Sequence, residues 1–130
     1  MTKTDISTLD DIKLLVNSFY GKVQKDDLIG PIFQEKIQDR WSAHLEKMYS
    51  FWQTILFDEH TYGGRPFPPH AQLPISQEHF ERWLLLFHET VAELFEGPIA
   101  NEAQARGSKM AALFQIKLDH IRQSPFRPLL

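Results

Sequence analysis

Four side chains in this sequence combine a polar tip with an apolar setting. Tyr20 lies eight residues after Ile12 and four after Val16, on the apolar stripe of a helix. His44 lies three after Trp41 and four before Met48, at the edge of a second stripe, and Trp83 lies three after Phe80 and four before Phe87, on a third. His70 follows Pro68-Pro69, which stiffen the approach to it. Taken singly, each has an ordinary structural explanation. A buried Tyr or Trp usually finds one carbonyl or water partner, a histidine at a stripe edge is commonly a satisfied rim residue, and a loop histidine is commonly exposed. Together they say more. Three helices each turn one polar tip inward, and buried polar groups are costly unless paired, so their convergence invites a shared polar guest. The remaining histidines, His60, His79, His88 and His120, fall in loop or off-stripe positions and read as plain surface.

The composition narrows the guest. With no cysteine, the chain offers no thiolate metal site, iron–sulfur cluster, disulfide or cysteine nucleophile. Zinc usually takes three or four ligands at metal spacing; there is no H-E-x-x-H, and one nitrogen each from His44 and His70 is thin for it. One axial imidazole beneath a haem, with hydrogen-bond donors above, needs this inventory and no more. A porphyrin also needs a large apolar slot, which ten Phe and three Trp in 130 residues can line.

The elements that must position these groups are helices. Apolar residues recur at helical spacing over about 7–25 (Ile12, Leu15, Val16, Phe19, Val23), and Ser7 with Asp10 resembles a capping box. Gly30-Pro31 closes that block and starts a short turn carrying Ile32 and Phe33. A second helix is expected over about 39–57, with Trp41, Leu45, Met48, Trp52 and Ile55 on one face. A third is expected over about 76–96, with Phe80, Trp83, Leu84, Phe87, Val91, Leu94 and Phe95 inward and Leu85 and Leu86 widening that side. A fourth is expected over about 98–123, with Ile99, Ala103, Met110, Leu113, Phe114 and Ile121 inward. No period-2 strand is visible, so the fold class is all-α. The stretch 58–75, with Gly63-Gly64 and four prolines, cannot be an ordinary helix; a connection this long is usually functional or disordered, and Tyr62, Phe67, Leu73 and Ile75 can tie it down.

At 130 residues this is one domain, 1–130 with a core of about 7–123. Hydrophobic content of 42% with 24% charge is globular rather than disordered. Fourteen basic against 17 acidic residues give a net charge of −3, which disfavours nonspecific nucleic-acid binding. No apolar run is long enough to span a membrane and no signal-like segment opens the chain, so a cytoplasmic protein without membrane association is expected. No long apolar stripe is left over, so a monomer is the simple expectation.

Six stretches, in this order and at these spacings, resemble the truncated (two-over-two) haemoglobins, specifically their third group. They are Phe19-Tyr20, Gly30-Pro31-Ile32-Phe33, Trp41-Ser42-Ala43-His44, Phe51-Trp52, Pro69-His70-Ala71-Gln72-Leu73-Pro74 and Phe80-Glu81-Arg82-Trp83-Leu84. The resemblance runs from about Asp11 to Gln123. It implies a two-over-two helical sandwich around one haem b (iron protoporphyrin IX), with His70 as the proximal iron ligand. Tyr20 and Trp83 match the distal hydrogen-bond donors, and His44 matches the distal-helix histidine, a gate or water anchor. Met48 would line the distal pocket, Phe33 would pack on the porphyrin, and Phe51, Trp52 and Phe80 would supply further wall. Lys47 and Arg65 are assigned to the haem propionates on charge alone. The segment 58–69 and the tail 124–130 have no clear counterpart in the family pattern.

The resemblance further implies binding of dioxygen, nitric oxide and carbon monoxide, extending to nitrite, peroxide or cyanide. A donor aimed at the partial negative charge of bound dioxygen stabilises it as any preorganised donor does at developing charge. A charge-assisted bond is worth about 1.5–3 kcal/mol, roughly a tenfold to hundredfold slower ligand loss. Slow release suits retention or redox chemistry (nitric oxide, nitrite or peroxide detoxification) better than fast transport, with His44, titrating near neutrality, as proton shuttle. No flavin or nicotinamide glycine motif is present, so turnover would draw electrons from a separate reductase. Two other readings stay open on the residues: a cofactor-free helical module for protein interaction, and a non-haem metal hydrolase using His44 and His70.

Overall fold

The computed structural model describes residues 3–59, 62–64, 66, 70 and 73–123, so Arg65, His60, Phe67 and the tail 124–130 lie outside the described residues. Five α-helices follow in order: α1 (Leu9–Lys25), α2 (Gly30–Ile37), α3 (Trp41–Phe57), α4 (Gln77–Leu94) and α5 (Pro98–Gln123). Among the described residues there is no strand, and no helix is long and apolar enough to cross a membrane. The helix α1 rests on α2, α3 and α4; α5 covers α4 and touches α3. The pairs α1/α3 and α4/α5 are thus stacked through α1 and α4, the two-over-two arrangement.

The start of α1 shows a capping box one residue later than the spacing suggested. Thr8 Oγ1 accepts from the Asp11 amide (3.1 Å), and the Asp11 carboxylate accepts from the Thr8 and Ser7 amides (3.1 and 2.9 Å). The helix then buries Ile12, Leu15, Val16, Phe19, Tyr20 and Val23 on one face.

Where a short turn was expected after Gly30-Pro31 there is an eight-residue helix, α2. Local propensity does not demand it; the Asp26 carboxylate holds its entry, accepting from the Leu28 and Ile29 amides (both 3.0 Å) and from Arg82 of α4 (2.7 Å). Gly30 lets this turn close. A Cβ there would stand 2.9 Å from the Val23 carbonyl oxygen and 3.1 Å from that of Gln24. This corner carries Phe33, Lys36 and Ile37 over the interior.

Two apolar assignments are corrected. Leu85 is 58% exposed, so the buried side of α4 is narrower than its leucine run suggests. On α5 the inward register is Ala100, Ala103, Gly107, Ala111, Phe114 and Leu118, each three or four residues after the one before. Leu113 falls one residue off that register and is 45% exposed, while Leu118 is buried.

At the centre, Phe87 lies face to face with Trp52 (centroids 5.0 Å, 16°) and Trp83 (5.3 Å, 10°), with Phe19 edge-on (5.3 Å). Gly107 closes the stack. A Cβ there would meet the Phe87 ring at 3.0 and 3.1 Å, a ring already stacked on both tryptophans. Gly107→Ala gains about 1 kcal/mol of helix propensity but incurs overpacking of about 1–3 kcal/mol. The net expectation is a destabilised fold, read as a lower denaturant midpoint with unchanged slope.

The N-terminal segment closes the far end. Asp5 accepts from the Ile99 and Ala100 amides of α5 (2.9 and 2.8 Å) and from the Ile6 amide, so a residue from the other end of the chain caps that helix. These amides outweigh burial and hold the carboxyl below its usual range. Gly97, at φ +140°, admits the contact: a Cβ there would lie 2.6 Å from the Asp5 carboxyl carbon.

Candidate functional site

Between α1, α2, α3, α4 and α5 lies a cavity of about 860 Å³, toward the upper end for a small-molecule site. Tyr20, His44, Trp83 and His70 all line it, as do Phe33, Lys47, Met48, Phe51, Trp52 and Phe80. The sequence therefore singled out residues that the fold brings to one place.

Tyr20 is 6% exposed and is held by rings on several sides. Phe19 stands edge-on to it at 4.9 Å, His44 at 5.1 Å, and Phe33 and Trp41 each at 6.0 Å. Phe19 also stands edge-on to Trp83 at 5.3 Å, so one ring braces both prospective donors. Burial pushes the Tyr20 phenol well above its ordinary value. It is therefore protonated and able to donate at any physiological pH.

His44 is wedged between Tyr20 and Trp41 (5.9 Å), and its Nε2 is buried without a hydrogen-bond partner among the described residues. A buried orphaned polar atom at the wall of a large cavity marks where a guest should supply a partner. Burial first, then the charges of His70 and Lys47, push its pKa down to about 4. This corrects the expectation of a group titrating near neutrality: in the apolar stripe between two aromatic rings, the imidazole is neutral at pH 7. The sign of the linkage follows. Between about pH 6.5 and 4 the unfolded chain binds a proton at His44 that the folded chain does not, so stability falls as the solution is acidified through that window. His44→Leu is expected to flatten this part of the profile, checked by urea unfolding of both proteins at pH 6.5 and 4.5.

His70 accepts at its carbonyl from the Leu73 amide (3.1 Å). Its Nδ1–H donates to the Pro66 carbonyl at 2.6 Å, and Phe114 of α5 lies against the ring at 5.0 Å. A carbonyl can only accept, so this bond fixes the proton on Nδ1 and leaves Nε2 as the ring's lone-pair nitrogen. That is how protein scaffolds prepare a histidine as a metal ligand. Burial, assisted by the Lys36 charge, lowers its pKa despite the Pro66 bond, which favours the neutral form a metal requires.

Several lining residues were missed. Lys36 and Arg40 put two further cations on the cavity wall beside Lys47; Arg40 is anchored by donating to the Lys36 and Ile37 carbonyls (2.6 and 3.3 Å). Tyr62, edge-on to Phe51 at 5.3 Å, brings part of the long 58–75 segment onto the wall. His79, read as surface, is half-buried at the cavity. Its Nδ1 accepts from the Ser76 amide (2.9 Å), the reciprocal half of a capping arrangement at the start of α4. The Ser76-x-x-His79 spacing was the available signal. His88 is also half-buried, its Nε2 3.0 Å from Ser108 Oγ, and it ties α4 to α5 away from this cavity. His120 is exposed, as expected.

The residues present fit a haem. One imidazole is prepared for axial ligation, hydrogen-bonding side chains line the same space, the walls are largely aromatic and aliphatic, and Lys36, Arg40 and Lys47 can answer carboxylates. Among the described residues no group of three or more His, Asp or Glu is gathered for a metal ion on its own. A helical sandwich enclosing such a space is a globin.

Comparison with known proteins agrees. The bacterial-like globin family matches residues 5–116. A group 3 truncated haemoglobin of Campylobacter jejuni is 36% identical over 110 residues, covering 82% of this chain and 87% of that protein. The crystal structure of a group III truncated haemoglobin from Campylobacter jejuni superposes with a TM-score of 0.82 at 35% identity, covering 90% of this chain and 95% of that one. The chain belongs to the bacterial-like globins, as a truncated haemoglobin of the third group. Haem and the binding of diatomic gases such as dioxygen come with that membership, which sets aside the cofactor-free module and the hydrolase.

Proposed function

We propose that this globin holds haem b with His70 as axial ligand, and retains dioxygen for redox chemistry on nitric oxide, nitrite or peroxide rather than for fast transport. The observation that supports the reading is the Nδ1–H bond of His70 to Pro66, which leaves Nε2 as the lone-pair nitrogen of a ring lining the same cavity as Tyr20, His44 and Trp83. Haem, when bound, supplies the iron at which diatomic ligands bind and electrons are exchanged. The chain's own residues supply the rest. Tyr20 and Trp83 offer O–H and N–H donors from the cavity wall, where a bond to a charged acceptor is worth about 1.5–3 kcal/mol. His44, neutral at pH 7, offers either a donor or an acceptor at Nε2 according to tautomer, and it anchors a ligand or water rather than storing a proton. Phe33, Met48, Phe51, Trp52 and Phe80 form the apolar slot. Lys47 faces the carboxylates of the cofactor, in company with Lys36 and Arg40; Arg65 keeps the same assignment on charge alone.

Donors that slow ligand release favour chemistry at the site over delivery elsewhere. The chain carries no glycine-rich motif for a flavin or nicotinamide, so its electrons come from a separate reductase, and it works as a monomer. Titration with haem tests the reading: one equivalent per chain is expected to give an intense band near the violet edge that sharpens on reduction under carbon monoxide. Failure of the folded protein to take up haem would overturn it.

A further inference from the structure

His79 lines the large cavity, yet neither the axial ligand nor the donors Tyr20 and Trp83 make use of it. Its own helix fixes its tautomer. A backbone N–H can only donate, so the Ser76 amide at 2.9 Å makes Nδ1 the acceptor, and Ser76 Oγ stands 3.1 Å from the same nitrogen. The proton of the neutral ring is therefore on Nε2. This is the reverse of His70, whose Nδ1–H is taken up by a carbonyl. His70 is left with a lone pair, which suits a metal; His79 is left with an N–H, which suits an acceptor. Among the described residues nothing accepts from that N–H.

The surroundings say which acceptor. The next residue, Phe80, is buried in an apolar cluster with Ile75, Ala111, Phe114 and Leu118, and Ile32 of α2 packs against the same cluster. Lys36 lies one turn beyond Ile32 on α2 and, like His79, lines the cavity. The first turn of α4 and the turn of α2 that leads to Lys36 thus meet on one apolar cluster, so the free N–H belongs to a wall that also carries cations. A haem is an apolar disc with carboxylates at one edge. A flexible ammonium answers such a charge from many directions, whereas an N–H whose ring is fixed by a second hydrogen bond answers it from one. We propose that His79 is a cofactor-binding residue whose Nε2–H donates to a carboxylate of the bound haem, in addition to the cations Lys36, Arg40 and Lys47. This role rests on the reading that haem occupies the cavity, whatever redox chemistry follows.

The rate at which the loaded protein gives up its cofactor to excess apomyoglobin tests this, with iron protoporphyrin IX compared against its dimethyl ester, which has no free carboxylate. Each variant is read relative to wild type carrying the same cofactor, and three variants separate binding from capping. His79→Ala removes donor and cap together. It is expected to speed haem loss roughly tenfold, the low end for a bond to a charged group because the ring is half-buried, and to speed ester loss much less. His79→Gln keeps an acceptor for the Ser76 amide and an N–H to donate, so both rates are expected to stay within about threefold of wild type. His79→Glu completes the usual Ser-x-x-Glu capping box but sets a carboxylate against a carboxylate. It is expected to lose haem at least as fast as His79→Ala while holding the ester as the wild type does. Equal acceleration of both cofactors in His79→Ala would reduce the ring to a helix cap and overturn the role. Wild-type haem retention in His79→Glu, or haem loss in His79→Gln as fast as in His79→Ala, would overturn it too. A wild-type protein that takes up neither cofactor would instead overturn the haem reading itself.

Discussion

His70→Gly is expected to lose the axial bond and most of the haem affinity, and added imidazole is expected to restore the spectrum. The structure gives two reasons for so large an effect. Among the described residues the ring is held by its hydrogen bond to Pro66 and by Phe114 against its face, and it is the histidine whose tautomer is already fixed for ligation. Loss of an outer-shell partner typically costs about 10–100-fold in metal affinity, and loss of the ligand itself should exceed that. Glycine leaves a space the size of the missing ring, which is why free imidazole can take its place. His44 shares the cavity but cannot substitute: it is wedged between Tyr20 and Trp41 on another helix. The check is the reduced carbon-monoxide spectrum with and without imidazole. A wild-type spectrum in the variant without added imidazole would remove His70 from the role.

The second large effect concerns the hydrogen-bond donors of the cavity wall. Tyr20→Phe and Trp83→Phe are each expected to speed dioxygen dissociation roughly tenfold to hundredfold, the kinetic equivalent of one lost charge-assisted bond. Tyr20→Phe is close to isosteric and keeps the edge contacts with Phe19 and His44. Because burial keeps the phenol protonated, the donor is available across the whole working pH range. Trp83→Phe removes the indole N–H but leaves a ring to stack on Phe87. The two donors are braced by the same phenylalanine, so the double variant should fall short of the product of the singles. Stopped-flow release in the presence of excess carbon monoxide reads all three rates. Rates within twofold of wild type would mean that neither side chain reaches the ligand.

Much of this site was legible because a helix repeats its own geometry. Tyr20, His44 and Trp83 stand at stripe positions of three long helices, and a 3.6-residue period is enough to say that they point inward. The elements that escaped depend on contacts between distant segments. The short helix α2 has few apolar positions and owes its entry to Asp26, its salt bridge with Arg82 and the missing side chain of Gly30. Leu85 and Leu113 are as hydrophobic as their neighbours, and only the register of the partner helix decides which leucine is buried. An imidazole at the third position of a helix is not a usual capping residue, so spacing alone reads His79 as surface. Lys36 and Arg40, exposed on the α2 corner, reach the cavity wall only because that corner lies beside it. The low pKa of His44 could not be read from spacing, since it arises from desolvation by rings contributed by α1 and by its own helix.

The carboxylate of Asp5 on the first turn of α5 also governs the order in which the molecule can be assembled. It joins residues 94 and 95 positions apart, so it closes a loop comprising nearly the whole fold. The entropy of closing so long a loop is recovered only when most intervening contacts already exist. On the ribosome, where chains grow at about 5–20 residues per second, α1 and α3 are complete seconds before the start of α5 emerges. The N-terminal residues must therefore wait, unpaired, for a helix not yet made, and the capped state is among the last to form.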